Sequence, residues 1–124
     1  MKIAITADKG SLDAPLDPRF GRCAWFIILD SSSPEEFTTI ENRAASAGGG
    51  AGVQAAQEII DAGVEAVISG NYGPRAYDAL STAGISMYIV EAQTIRQAVE
   101  AFNAGKGKLL DSPSAAAHAG LRRI

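Results

Sequence analysis

Three strand-like segments precede the first helical one, and helices and strands alternate after that. Residues 2–7 are rich in β-branched side chains. Residues 24–30 (AWFIILD) are apolar almost throughout, as in a strand covered on both faces. Residues 36–42 (EFTTIEN) alternate and read as an edge strand. With no helix between them, these three are expected to pair antiparallel. A helix is predicted over 51–62, where Val53, Ala56, Ile59 and Ile60 recur at helical spacing before Gly63. A short buried strand follows at 65–70, then a helix opening at Pro74 and ending near Ala83. The last predicted strand is 85–90. Thr94 and Gln97 form a capping box that opens a helix running to Ala104. The later strand–helix–strand units require right-handed crossovers and parallel pairing. The fold class is therefore α/β: a mixed five-stranded sheet of order 3-2-1-4-5, with three helices on its faces. Residues 1–110 read as a single domain and 111–124 as a loosely held C-terminal tail.

In such a sheet the ligand crevice lies at the carboxyl ends of the strands, where chain direction switches. Three loops should meet there: residues 8–23, 44–52 and 70–74. Composition limits what they can do. The net charge is −3, the wrong sign for a general binder of polyanions such as nucleic acid. A single cysteine, Cys23, excludes an internal disulfide and any CxxC motif, and a single histidine, His118, excludes a multi-histidine metal site. No apolar run approaches the ~20 residues of a membrane helix. The N-terminus lacks a signal-peptide layout, so the expected location is the cytoplasm.

Within the first loop, Arg19 and Arg22 place two permanent cations beside Cys23. Nearby cations favour a thiolate, the metal-binding form, and a guanidinium pair suits a bulky anion. The same residues also allow an Asp17–Arg19 pair with Cys23 as a buried small hydrophobe. In the second loop Gly48, Gly49, Gly50 and Gly52 directly precede a helix. Their amides and the helix start would form an anion site, or equally a plain turn. The run is neither a P-loop nor a dinucleotide fingerprint. In the third loop Asn71, Tyr72 and Gly73 end a strand and begin a helix, facing the same crevice or bonding locally. His118 reads as solvent-exposed. No Ser-His-Asp set exists, so no enzyme is expected.

The stretch Asp17 to Cys23 (DPRFGRC), the GGGAG turn at 48–52 and the GNYGPRA turn at 70–76 together resemble the dinitrogenase iron–molybdenum cofactor biosynthesis family, including the small domain at the C-terminus of the cofactor-core synthase. The resemblance covers about residues 1 to 110. It implies a ribonuclease H-like fold and non-catalytic binding or transfer of an anionic metal–sulfur cluster. A single-domain chain looks most like the orange-protein branch of sulfate-reducing bacteria, where a molybdenum–copper sulfide cluster is held non-covalently. On that resemblance the cluster-binding residues are Arg19, Phe20, Arg22, Cys23, Gly48, Gly49, Gly50, Gly52, Asn71, Tyr72 and Gly73, with Cys23 the one candidate metal ligand. Family members that hold nitrogenase cofactor precursors often place a histidine or cysteine near the cluster. Here the predicted core has no histidine, which favours a cluster that brings its own sulfide ligands. Backbone amides and arginines would hold it, with Phe20, Trp25 or Tyr72 covering its less polar parts. The partners implied are the cluster and a protein donor, acceptor or ATPase, with no nucleic acid or membrane, in a monomer or weak dimer.

Three other readings stay open. One is a carrier of an iron–molybdenum cofactor precursor, with an iron–molybdenum–sulfur cluster in place of copper. Another is a metal-free regulatory or scaffolding module. The last is a small magnesium-dependent hydrolase or phosphotransferase using Asp8 and Asp13.

Overall fold

The computed structural model describes residues 1–46 and 50–111. Gly48, Gly49 and His118 lie outside the described residues, as does the predicted tail beyond Asp111. A single sheet organises the chain. Its strands are β1 (Lys2–Ala7), β2 (Trp25–Asp30), β3 (Phe37–Glu41), β4 (Ala66–Ser69), β5 (Ser86–Ile89) and β6 (Lys108–Leu109). Their spatial order is β3-β2-β1-β4-β5-β6, which contains the expected 3-2-1-4-5 arrangement and extends it by one strand. β1 pairs antiparallel with β2, Ile3 opposite Leu29 and Ile5 opposite Ile27. On its other side β1 runs parallel to β4, and β4 to β5. The sixth strand is a two-residue antiparallel addition to β5, too short to leave any periodicity in the sequence.

Helices α1 (Ala51–Asp61) and α2 (Pro74–Thr82) cover one face, and α3 (Ile95–Asn103) covers the other. The central strands are accordingly buried on both sides. Ala4, Phe26, Ile28 and Val67 pack toward α1 and α2 with Ile59 and Leu80. Ile3, Ile5, Ile27 and Ile68 pack toward Ile95 and Val99. Each fully buried side chain of this kind contributes about 1.5–3 kcal/mol. α1 meets its neighbours through Ala51, Ala55 and Ala56, small residues that allow close approach, and through the larger Ile59. Val53, expected on the buried stripe, is instead 44% exposed because the alanine row occupies that face. Gly63, Gly84 and Gly105 follow the three helices at positive φ, where a side chain would be strained. Among the described residues no helix is long and apolar enough to cross a membrane.

The long connection from β1 to β2 is two structures in sequence. Its first part is stitched to α3: Leu16 N–H donates to the Gln93 carbonyl (3.0 Å), Ile95 N–H to Ala14 (3.0 Å) and Arg96 N–H to Leu12 (2.8 Å). Arg96 also pairs with Asp13 and Glu35 on the surface. The second part, from Asp17, crosses to the other face of the sheet and enters the candidate site.

Candidate functional site

Asp17 is tied to the end of β1 by reciprocal bonds. Its N–H donates to the Thr6 carbonyl (3.0 Å), and Thr6 Oγ1 donates to the Asp17 carbonyl (2.6 Å). Ser69 Oγ, at the end of neighbouring β4, lies 2.9 Å from Thr6 Oγ1. The chain then runs along the end of β4. Asn71 N–H donates to the Pro18 carbonyl (2.8 Å) and Phe20 N–H to the Asn71 carbonyl (3.4 Å). Only glycine permits this approach, since a Cβ on Gly70 would stand 2.6 Å from Pro18 Cα. A 3-10 turn over Phe20–Arg22 follows. Asn42 clamps it, with Nδ2 donating to the carbonyls of Cys23 (2.8 Å) and Gly21 (3.3 Å) and Oδ1 accepting from Ala44 N–H (3.1 Å).

Between this turn and the starts of α1 and α2 lies a cleft of about 560 Å³. Arg19, Phe20, Gly21 and Arg22 form one wall. Gly52 of α1, the turn residues Asn71 and Gly73, and Pro74, Arg75 and Ala76 of α2 complete it. Small residues set its floor: a Cβ on Gly21 would come within 3.0 Å of Gly52 Cα, and one on Gly52 within 3.4 Å of Ala76 Cβ. Three of the lining residues are arginines and none is acidic, in a chain whose net charge is −3. The N-caps of both helices are glycines, Gly50 and Gly73, with no side-chain cap. The N–H groups of Gly52, Val53, Arg75 and Ala76 have no acceptor among the described residues. Neither helix carries an acid in its first turn. Two positive helix ends and three guanidinium groups thus surround one cavity, and such a donor set matches an anion.

Of the loops expected to converge, the structure brings Arg19, Phe20, Arg22, Gly52, Asn71 and Gly73 to the cleft. Gly50 stands at the α1 cap with φ +75°. Tyr72 does not line the cavity. It is buried behind Phe20, the rings stacked at 5.6 Å, and its hydroxyl lies 2.8 Å from the Tyr88 carbonyl and 3.0 Å from that of Val67. Trp25 packs on the opposite face of the sheet, with the α3 core. Cys23 is 0% exposed, and its thiol donates to the Phe20 carbonyl at 3.3 Å. Burial, with the Asp17 carboxylate adding to it, pushes that thiol up to about 12. This reverses the expectation drawn from Arg19 and Arg22. Both guanidinium-bearing side chains are exposed, so desolvation of the inward thiol outweighs their field.

The carboxylates do not gather either. Asp13 pairs with Arg96, and Asp17 with Arg19. Among the described residues no group of three His, Cys, Asp or Glu side chains could hold a metal ion. Four lining residues are not among the site residues expected from sequence: Gly21, Pro74, Arg75 and Ala76. Arg75 could have been found: it directly follows Pro74 at a predicted helix start, where side chains flank whatever the amides bind.

Residues 1–105 match the family described as dinitrogenase iron-molybdenum cofactor. The chain is similar to the orange protein of Desulfovibrio gigas in its apo form, at TM-score 0.87 and 35% identity over 92% of this chain and 96% of that one. It is similar, at TM-score 0.79 and 32% identity over 92% and 97% of the two chains, to a protein from Thermotoga provisionally named a NifB protein. An uncharacterized protein of Methanocaldococcus jannaschii is 35% identical over 108 residues, which are 86% of this chain and 88% of that protein. By the extent of the family match and by these likenesses, the chain belongs to the dinitrogenase iron-molybdenum cofactor family.

Proposed function

We propose that this protein is a non-catalytic carrier of an anionic molybdenum-containing metal–sulfur cluster, of the molybdenum–copper sulfide type, held without protein metal ligands. The observation that carries the reading is the cleft itself: two helix starts without side-chain caps and three arginines around about 560 Å³, with no acid in the lining. A thiomolybdate-type cluster is large, soft and multiply negative. Main-chain N–H groups at the starts of α1 and α2 would replace its hydration. Arg19, Arg22 and Arg75 would balance its charge. Phe20, 1% exposed at the cleft wall, supports the turn from behind, its ring packed on Phe26 and Tyr72. Cys23, buried and held as a thiol, takes no part as a ligand in this reading. Membership of the family and likeness to the orange protein support a cofactor-binding or carrier role.

The family description also favours a second cargo, an iron–molybdenum cofactor precursor. A visible spectrum with elemental analysis separates the two, taken on anaerobically purified protein before and after adding tetrathiomolybdate and copper. Stoichiometric molybdenum and copper with a new visible band support the first reading, and iron in place of copper supports the second. Protein that stays colourless and metal-free under both conditions overturns both and leaves a scaffolding module. Replacing Arg19 and Arg22 together by alanine should release most of the bound cluster; unchanged retention would remove the site assignment.

A further inference from the structure

The three cleft arginines are not equivalent. Asp17 is only 6% exposed, and both its carboxylate oxygens are engaged by one residue. Oδ1 accepts the Arg19 backbone N–H at 2.9 Å and Nε–H at 3.3 Å, while Oδ2 accepts Nη2–H at 3.3 Å. The carboxylate stands on a fixed base. Its own N–H and carbonyl are bonded to Thr6, and the next residue, Pro18, packs against Gly70. The guanidinium it grips is 63% exposed and lines the cleft. Two of the five guanidinium N–H donors are used on Asp17, so three remain for a ligand, in a fixed plane. The pair as a whole carries little net charge. Arg75 is the opposite case. It is exposed beside the uncapped start of α2 and has no carboxylate partner among the described residues.

We propose that Asp17 is a positioning residue that divides the work of the cleft: Arg19, held by Asp17, orients and retains the bound anion, whereas Arg75 supplies the attraction that captures it. The proposal rests on the reading of the cleft as an anion site. A mobile, fully charged group governs encounter, and a fixed, hydrogen-bonded one governs escape. Asp17 therefore weakens long-range attraction while strengthening retention.

The test follows association and dissociation of tetrathiomolybdate by stopped flow at several ionic strengths. Arg75→Ala should slow association several-fold and flatten its salt dependence, with little change in dissociation. Arg19→Ala should speed dissociation about tenfold. Arg19→Lys keeps the charge but loses the planar fork, and should dissociate nearly as fast as Arg19→Ala. Asp17→Asn keeps an acceptor for the Arg19 backbone N–H and adds net positive charge. It should associate no more slowly than the parent and dissociate faster. Asp17→Asn dissociating at the parent rate would overturn the proposal, as would Arg19→Lys behaving like the parent. An NMR readout is independent of any cargo: the Arg19 Nε–H should exchange slowly in the parent protein and quickly in Asp17→Asn. If the parent takes up no tetrathiomolybdate, the carrier reading and the division of tasks both fall. The Nε–H exchange then decides the positioning role of Asp17 alone, and slow exchange retained in Asp17→Asn rejects it.

Discussion

Helix α3 and the pair α1 and α2 begin in opposite ways. α3 starts closed. Thr94 Oγ1 accepts from Gln97 N–H at 3.2 Å, Gln97 Oε1 accepts from Gln93 N–H at 3.1 Å, and the next two N–H groups donate to Ala14 and Leu12. Each N–H of the first helical turn, from Ile95 to Gln97, has a partner within the chain. α1 and α2 start open, with glycine caps and first-turn N–H groups that have no acceptor among the described residues. A helix start needs partners for its first donors, supplied by side chain, backbone, water or ligand. The contrast separates a joint that holds the fold from the surface that, on the proposed carrier reading, receives the anion, although all three helices stand on the same sheet.

The strongest way to break the open end is at its seam. Gly70→Ala would drive a Cβ into Pro18 and should lower stability by about 2–4 kcal/mol, read from denaturant unfolding. Closing α2 artificially comes next. Gly73 has an extended backbone that other residues can adopt, so Gly73→Asp would give the helix a carboxylate cap. Tetrathiomolybdate affinity should then fall about tenfold while the protein unfolds at equal or higher denaturant. An undiminished affinity would show that the α2 start is not part of the site. Thr94→Ala should do the reverse at the closed end, lowering stability by about 1 kcal/mol and leaving anion affinity unchanged.

The smallest expected effect concerns Cys23, just behind the open end. With its pKa raised to about 12, only about one thiol in ten thousand is thiolate at pH 8, so iodoacetamide should label the folded protein negligibly and the unfolded protein readily. The linked sign is fixed. Between the ordinary value of 9.0 and about 12, the unfolded chain releases a proton that the folded chain keeps. Stability should therefore decline across that alkaline window and be unaffected by this group below it. A mass-spectrometric labelling profile against pH checks both statements.

Much of this architecture was readable from local pattern. The strand order followed from three strands without intervening helices, and the α3 cap from Thr94 and Gln97. The convergence of loops at the strand ends followed from topology, and it brought Arg19, Arg22, Gly52 and Asn71 within one cleft. What escaped depends on contacts distant in sequence. The need for glycine at 70 arises from Pro18, and no pattern around Gly70 announces it. Of the two readings that the sequence allows for Cys23, the buried small hydrophobe beside an Asp17–Arg19 pair is the one found, because adjacency to arginines says nothing of direction. The 3-10 turn leaves the guanidinium groups outside and takes the sulfur in. Sequence alone does not separate Tyr72 and Trp25 from Phe20 as aromatic cover, yet strand alternation puts Trp25 across the sheet, and Tyr72 is sealed beneath Phe20. Arg75 lies within the GNYGPRA turn, but its place at the cleft depends on where α2 starts relative to the Phe20–Arg22 turn, a contact distant in sequence.

The main-chain donors at the starts of α1 and α2, which have no acceptor among the described residues, bear on how this protein can change over time. A main-chain N–H belongs to the fold and not to any one side chain, so most single substitutions around the cleft leave it in place. Only proline at Gly52, Val53, Arg75 or Ala76 would delete a donor outright. Recognition built this way tolerates drift in its surroundings. The arginines can be exchanged or moved to favour one anion over another, while the two helix starts keep some affinity for negative charge throughout.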